Sequence, residues 1–180
     1  DKRIIGNNLP RYSYSFRLGA EYEGIDFSVF FQGVGKQNWY PTQYAYTFWG
    51  PYSLPSVSFI PTDFESKVWS EANPDAYFPR PRGNQAYSAG ALNVYNDRYL
   101  QNAAYMRVKN IQLGYTLPQE VSQKVGISNL RVYISGENIF TFTKLSKLYD
   151  PEMLGIGYGG EGSKTYPLSK TWALGLSLTL

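Results

Sequence analysis

Tyr12-Ser13-Tyr14-Ser15-Phe16-Arg17-Leu18-Gly19-Ala20-Glu21-Tyr22 is the stretch that decides how this chain is read. Every even position is apolar or aromatic, and the odd positions are Ser, Ser, Arg, Gly and Glu. An unbroken period of two over this length predicts an extended strand, 12–22, with one apolar and one polar face. Glu23-Gly24 follows as a two-residue reversal, and a second strand is expected at 25–34. There Ile25, Phe27, Val29 and Phe31 share one face, Asp26, Ser28 and Gln32 the other, and Phe30 is the one apolar residue on the polar side.

The same period returns three more times. In 104–117, Ile111, Leu113, Tyr115 and Leu117 hold one parity while Met106 and Val108 hold the other, so a bulge is expected near Lys109-Asn110. The connection from Pro118 to Asn129 has room for one helical turn before Gly126. A fourth strand, 130–143, carries Leu130, Val132, Ile134, Gly136, Asn138, Phe140 and Phe142 on one face, and a fifth, 170–180, carries Trp172, Leu174, Leu176, Leu178 and Leu180.

Composition removes several functions. With no His and no Cys among the 180 residues there is no zinc site of the usual kind, no Ser-His-Asp triad, no catalytic thiol and no disulfide framework. Asp63, Glu65, Glu71 and Asp75 lack the spacing of a calcium loop, and no catalysis, metal or cofactor is assigned. Gly155-Ile156-Gly157-Tyr158-Gly159-Gly160 fits G-x-G-x-x-G literally, but neither a strand before it nor a helix after it supports nucleotide binding, and it reads as a loop. A net charge of +3 without a basic run argues against nucleic acid.

No apolar run approaches the roughly 20 residues of a membrane helix, yet a membrane strand needs only about 9–11, half of them polar. A mean hydropathy of −0.37 is therefore compatible with a barrel. The chain starts at Asp1 without a leader pattern and reads as a mature or clipped segment. Short connections alternate with long ones: two residues, then about seventy, then twelve, then about twenty-six. Short periplasmic turns and long extracellular loops are the asymmetry of outer-membrane barrels. The expectation is all-β: an antiparallel transmembrane β-barrel segment with a long extracellular loop at 35–103 and the chain end in the periplasm. The alternative is a soluble β-sandwich module that binds glycans.

Residues 35–103 hold 15 of the 31 aromatics and 7 of the 11 prolines. Trp39, Tyr40, Tyr44, Tyr46, Trp49, Tyr52 and Trp69 are candidate contacts for ligand or partner, since amphipathic rings offer stacking area with a polar tip. The competing expectation is that a long loop needs a small core of its own, which these rings would supply. Arg17, Glu21, Asp26, Gln32, Arg131 and Glu137 lie on the polar faces and are expected to face the lumen, most of these charges satisfying one another across neighbouring strands.

Particular words in the sequence go further. Arg107-Val108-Lys109-Asn110-Ile111-Gln112-Leu113-Gly114-Tyr115-Thr116-Leu117-Pro118 and Leu130-Arg131-Val132-Tyr133-Ile134-Ser135-Gly136-Glu137-Asn138-Ile139-Phe140-Thr141 resemble the C-terminal strands of SusC/RagA-type TonB-dependent outer-membrane transporters of Bacteroidota. So do Ile4-Ile5-Gly6-Asn7, Phe31-Gln32-Gly33-Val34-Gly35, Tyr149-Asp150-Pro151-Glu152 and the run Tyr166 to Leu176. The resemblance implies the last five strands of a barrel of about 22, with a plug and a TonB-contacting segment that this sequence does not contain. It implies an outer-membrane location and import of oligosaccharides or, in some members, peptides, with a SusD-like surface lipoprotein as lid and TonB as energy source. The further partners are outer-membrane lipid and the rest of the barrel and plug. The family often ends in an aromatic residue, whereas Leu180 stands last here.

Overall fold

A computed structural model describes residues 2–54, 56–82, 85–155 and 165–179. The chain divides into two compact units. The first consists of Leu9–Gln37, Ala103–Lys144 and Leu168–Leu180, and its frame is one antiparallel sheet. The strands are β1 (Tyr12–Tyr22), β2 (Ile25–Gly35), β5 (Tyr105–Thr116), β6 (Asn129–Thr143) and β7 (Thr171–Thr179), in the spatial order β1-β2-β5-β6-β7. Two short strands of the other unit, β3 (Asn38–Trp39) and β4 (Gln101–Asn102), lie between β2 and β5 in sequence. Among the described residues β1 and β7 each pair on one side only.

The alternation in sequence is what builds this sheet. β1 and β2 run in register from Tyr12↔Gly35 to Tyr22↔Ile25 around the two-residue turn. Both turn residues have positive φ, 47° at Glu23 and 83° at Gly24, the geometry whose twist matches a tight hairpin. The parity change in β5 is a bulge: Phe30 opposes Asn110 while Phe31 opposes Val108, so Lys109 is the extra residue. β6 accommodates it with Asn138 at φ 54°, between the pairs Asn110↔Glu137 and Val108↔Phe140. The bulge keeps Val108 on the face of Ile111, and one apolar face runs unbroken across all five strands. Between β5 and β6, α3 (Gln119–Ser122) and a 3-10 turn (Gln123–Val125) end at Gly126 in the left-handed region.

Most of that apolar face is exposed, Val29 and Val108 excepted. Leu18, Leu113, Tyr115, Ile134, Phe140, Phe142, Trp172, Leu174 and Leu176 are all exposed, Leu174 to 80%. The polar face of the central strands is the better covered, with Arg107 only 3% exposed and its Nε donating to Thr141 Oγ1 at 2.7 Å. A soluble sheet is arranged the other way round. No helix among the described residues is long and apolar enough to cross a membrane, which says nothing about strands.

The second unit consists of Asp1–Asn8, Asn38–Asn102 and Leu145–Pro167. The long loop of the sequence reading is thus a folded body that also recruits residues from two other parts of the chain. Its regular structure is sparse: the β3–β4 pair, α1 (Tyr46–Trp49), α2 (Gln85–Ser88) and several 3-10 turns. Aromatic packing holds it together instead.

Candidate functional site

On the polar face of the sheet, β2 and β6 are the outer neighbours of β5, and each offers one charge to the other. Arg131 grips Asp26 with both nitrogens, Nε to Oδ2 at 2.8 Å and NH2 to Oδ1 at 2.5 Å, and its guanidinium lies 4.8 Å from the Tyr133 ring centre. The pair passes directly over Gly114 of β5, where a Cβ would collide with both partners. A side chain at Gly114 would therefore have to push the ends of Asp26 and Arg131 aside, and neither Gly114 nor the buried Arg107 was among the residues singled out from sequence. Periodicity reports the face a residue occupies and is silent on which third strand reaches across.

Arg17, Glu21, Asp26, Gln32, Arg131 and Glu137 all fall on this face. Arg131 pairs with Asp26 across the intervening β5 and not with an adjacent strand, while Glu137 stands opposite Asn110 and Thr171. Arg17 lies 5.9 Å from the ring centre of Phe30, which gives that exceptional apolar residue a place. Glu21, Asp26, Thr116 and Arg131 border a polar recess of about 500 Å³ beside the Glu23-Gly24 turn. A double-mutant cycle with Asp26→Ala and Arg131→Ala is expected to give a coupling of about 1–3 kcal/mol by denaturant titration. Additive losses would show that the pair carries nothing beyond its separate contacts.

The other unit is a cluster of rings. Phe78 sits in its midst, with ring centres of Phe48, Trp49, Tyr52, Phe64, Tyr77 and Tyr99 at 4.9 to 6.2 Å. The polar tips find backbone oxygens. Trp49 Nε1 donates to Pro41 O and Thr42 O, both at 2.9 Å, Tyr40 donates to Val94 O at 2.8 Å, and Tyr52 donates to Pro79 O. Tyr149 takes part as an acceptor: its hydroxyl oxygen accepts the Phe48 N–H at 2.9 Å.

Of the seven rings put forward as contacts, Trp39, Tyr40, Tyr46, Trp49 and Tyr52 are buried, and this unit packs them as its own core. Tyr44 is exposed, and Trp69 is half-buried with the Arg80 guanidinium 4.5 Å from its ring centre. Gly155-Ile156-Gly157-Tyr158-Gly159-Gly160 lies, beyond Gly155, outside the described residues. Of the four carboxylates considered for metal, Asp63 is paired with Lys67, whose hydrogen bond holds it below its usual pKa.

Burial pushes the Tyr40 and Tyr52 hydroxyls up to about 12. A phenol whose folded pKa exceeds its unfolded value of about 10 contributes stability that is complete below pH 10 and is lost as pH rises through 12. Alkaline difference titration of the intact protein against its Tyr52→Phe variant, read as phenolate absorbance, should place the Tyr52 step near pH 12. A step near 10 would contradict this burial.

Antiparallel strands with an outward apolar face and an ion-paired opposite face define an antiparallel β-sheet segment built like the wall of a membrane barrel. No protein-family model matches the chain. It is 29% identical over 192 residues to TonB-dependent receptor P3 of Formosa agariphila and 25% identical over 186 residues to TonB-dependent receptor P26 of the same organism. Each alignment takes in 99% of this chain, but only 17% and 18% of the receptors, so the chain spans less than a fifth of their length. Among solved structures it superposes on the RagAB peptide importer in its open-open state with a TM-score of 0.69 at 25% identity, covering 99% of this chain and 18% of that one. The closed-closed state gives 0.67 at 25% identity, over 98% and 18%. Over almost its whole length the chain is thus similar to a stretch of TonB-dependent receptors and of the RagAB peptide importer.

Proposed function

We propose that this chain forms part of the wall and extracellular loops of an outer-membrane importer driven by TonB, working with a SusD-like surface lipoprotein and taking in oligosaccharides or peptides. The observation that carries the reading is the exposed apolar face that runs across five strands while charges pair on the other. In hydrocarbon that face is solvated, and the polar face borders a lumen. The solved structures it resembles at 25% identity are described as peptide importers, which favours peptides within the pair. A plug, TonB and outer-membrane lipid complete the partners. No enzymatic role is assigned, in keeping with relatives that are receptors and importers.

The soluble glycan-binding sandwich would cover its apolar face with a second sheet. Among the described residues the second sheet is a ribbon of two residues per strand. The readings separate by experiment. The full receptor should support substrate uptake that stops when TonB is removed, and it should need detergent to stay monodisperse. A receptor that stays monodisperse in plain buffer would favour the sandwich.

Topology gives a further expected outcome. With β7 ending in the periplasm, Asn38–Asn102 emerges at the cell surface and Pro118 to Asn129 on the inner side. Protease added to intact cells should cut within the former and spare the latter. Cleavage confined to the shorter connection would invert the assignment.

A further inference from the structure

The unit containing Asn38–Asn102 holds a half-open cleft of about 290 Å³ that its own core does not fill. Phe48, Phe64 and Phe78 line its floor, each less than 8% exposed and fixed by ring contacts of 5.2 to 5.5 Å. Packed interiors leave few voids of this size, and an apolar recess kept open to water is costly unless something occupies it. The rim is different. Asp63 and Lys67 form an exposed ion pair there, and Ser146 and Leu148 close the far side. An exposed pair contributes little to stability, so its donors and acceptor can be redirected to a ligand at small expense.

Shape and chemistry select the occupant. The Phe48, Phe64 and Phe78 rings offer no hydrogen-bond partner, and the polar groups of the lining are Asp63, Lys67, Gln101, Ser146 and the Tyr77 hydroxyl, which accepts from Gln101 Nε2 at 3.1 Å and keeps its own proton to donate. A sugar hydroxyl turned onto the three Phe rings would be buried without a partner, whereas an apolar side chain loses nothing there. One acid and one base side by side at the mouth match a neutral ligand that carries both an N–H and a C=O. We propose that this cleft is a specificity pocket for a single aliphatic or aromatic side chain of a peptide, with Asp63 and Lys67 addressing the peptide's main chain. The proposal rests on the importer reading and narrows its substrate to peptides.

The test uses the full-length receptor in detergent and three probes: the capped tripeptides acetyl-Ala-Phe-Ala-amide and acetyl-Ala-Ala-Ala-amide, and cellohexaose. A hydrophobic pocket should favour the phenylalanine peptide tenfold or more over the alanine one. Ser146→Trp, which fills the cleft from its rim, should abolish that preference, and Leu148→Trp does the same should the first variant fail to insert. Lys67→Ala should weaken both peptides by a similar factor and keep the preference. Equal affinities, a preference that survives filling, or displacement of peptide by cellohexaose overturns the proposal. TonB-dependent uptake is scored separately. Uptake without the phenylalanine preference removes the pocket alone, whereas the preference without any TonB-dependent uptake removes the importer reading and leaves the pocket.

Discussion

Phe78→Ala is expected to destabilise the aromatic unit by about 3–5 kcal/mol, the range for truncating a large ring in a core that cannot collapse. Six rings surround Phe78, those of Phe64 and Tyr99 nearly parallel to it at 29° and 14°, and its backbone N–H and C=O bond Lys67 O and Trp69 N at 2.8 and 2.9 Å. Those backbone bonds hold the chain in place, so the surrounding rings cannot follow the lost side chain and the void persists. Phe59, 59% exposed, is the control, and its alanine variant should cost a small fraction of that. Limited proteolysis of the full receptor reads the difference. Equal cleavage rates for the two variants would show that Phe78 does not anchor this unit.

The second large effect concerns the two faces of the sheet. Arginine at Ile134 or Leu176, both on the outward apolar face and 43% and 61% exposed, should cost about 2–4 kcal/mol in a lipid bilayer. Arginine at Ser135 or Ser177 should cost much less, since those positions share a face with Arg131 and Asp26. Denaturant unfolding in vesicles measures all four. Equal damage at both parities would mean that both faces are dry, and the barrel reading would fall.

These contrasts show where sequence carried information and where it stopped. The ends of β1, β2, β5, β6 and β7 lie within one residue of the positions read from alternation, because the period of two is a local property that the sheet preserves, whereas the two-residue β3 and β4 carry no alternation and fall inside the expected loop. The parity slip at Lys109-Asn110 was legible for the same reason, and it is the β5 bulge. The aromatic unit has no such period. Trp49 meets Tyr99, and Phe48 meets Tyr149, through contacts 50 and 101 residues apart that no local pattern encodes. Composition alone announced a ring-rich body and left open which rings faced solvent; five of the seven candidate contacts are buried. The Asp26–Arg131 pair fell between the two cases: the shared face was readable, but the partner depended on the β2–β5–β6 register.

The β3–β4 ribbon has a consequence for how the chain assembles. The β1–β2 hairpin can zip within microseconds because two residues separate its strands, whereas pairing β2 with β5 must first bring together residues on either side of a long insertion. For a flexible segment that search is an entropic barrier growing with the logarithm of its length. Asn38 paired with Asn102, and Trp39 with Gln101, hold the two ends of the insertion side by side. A ring-packed body that orders early therefore turns the slow long-range search into a short-range one, delivering Tyr105 to Val34 as though it followed a tight turn. Rings that belong to neither strand would in that way set the rate at which β2 and β5 pair.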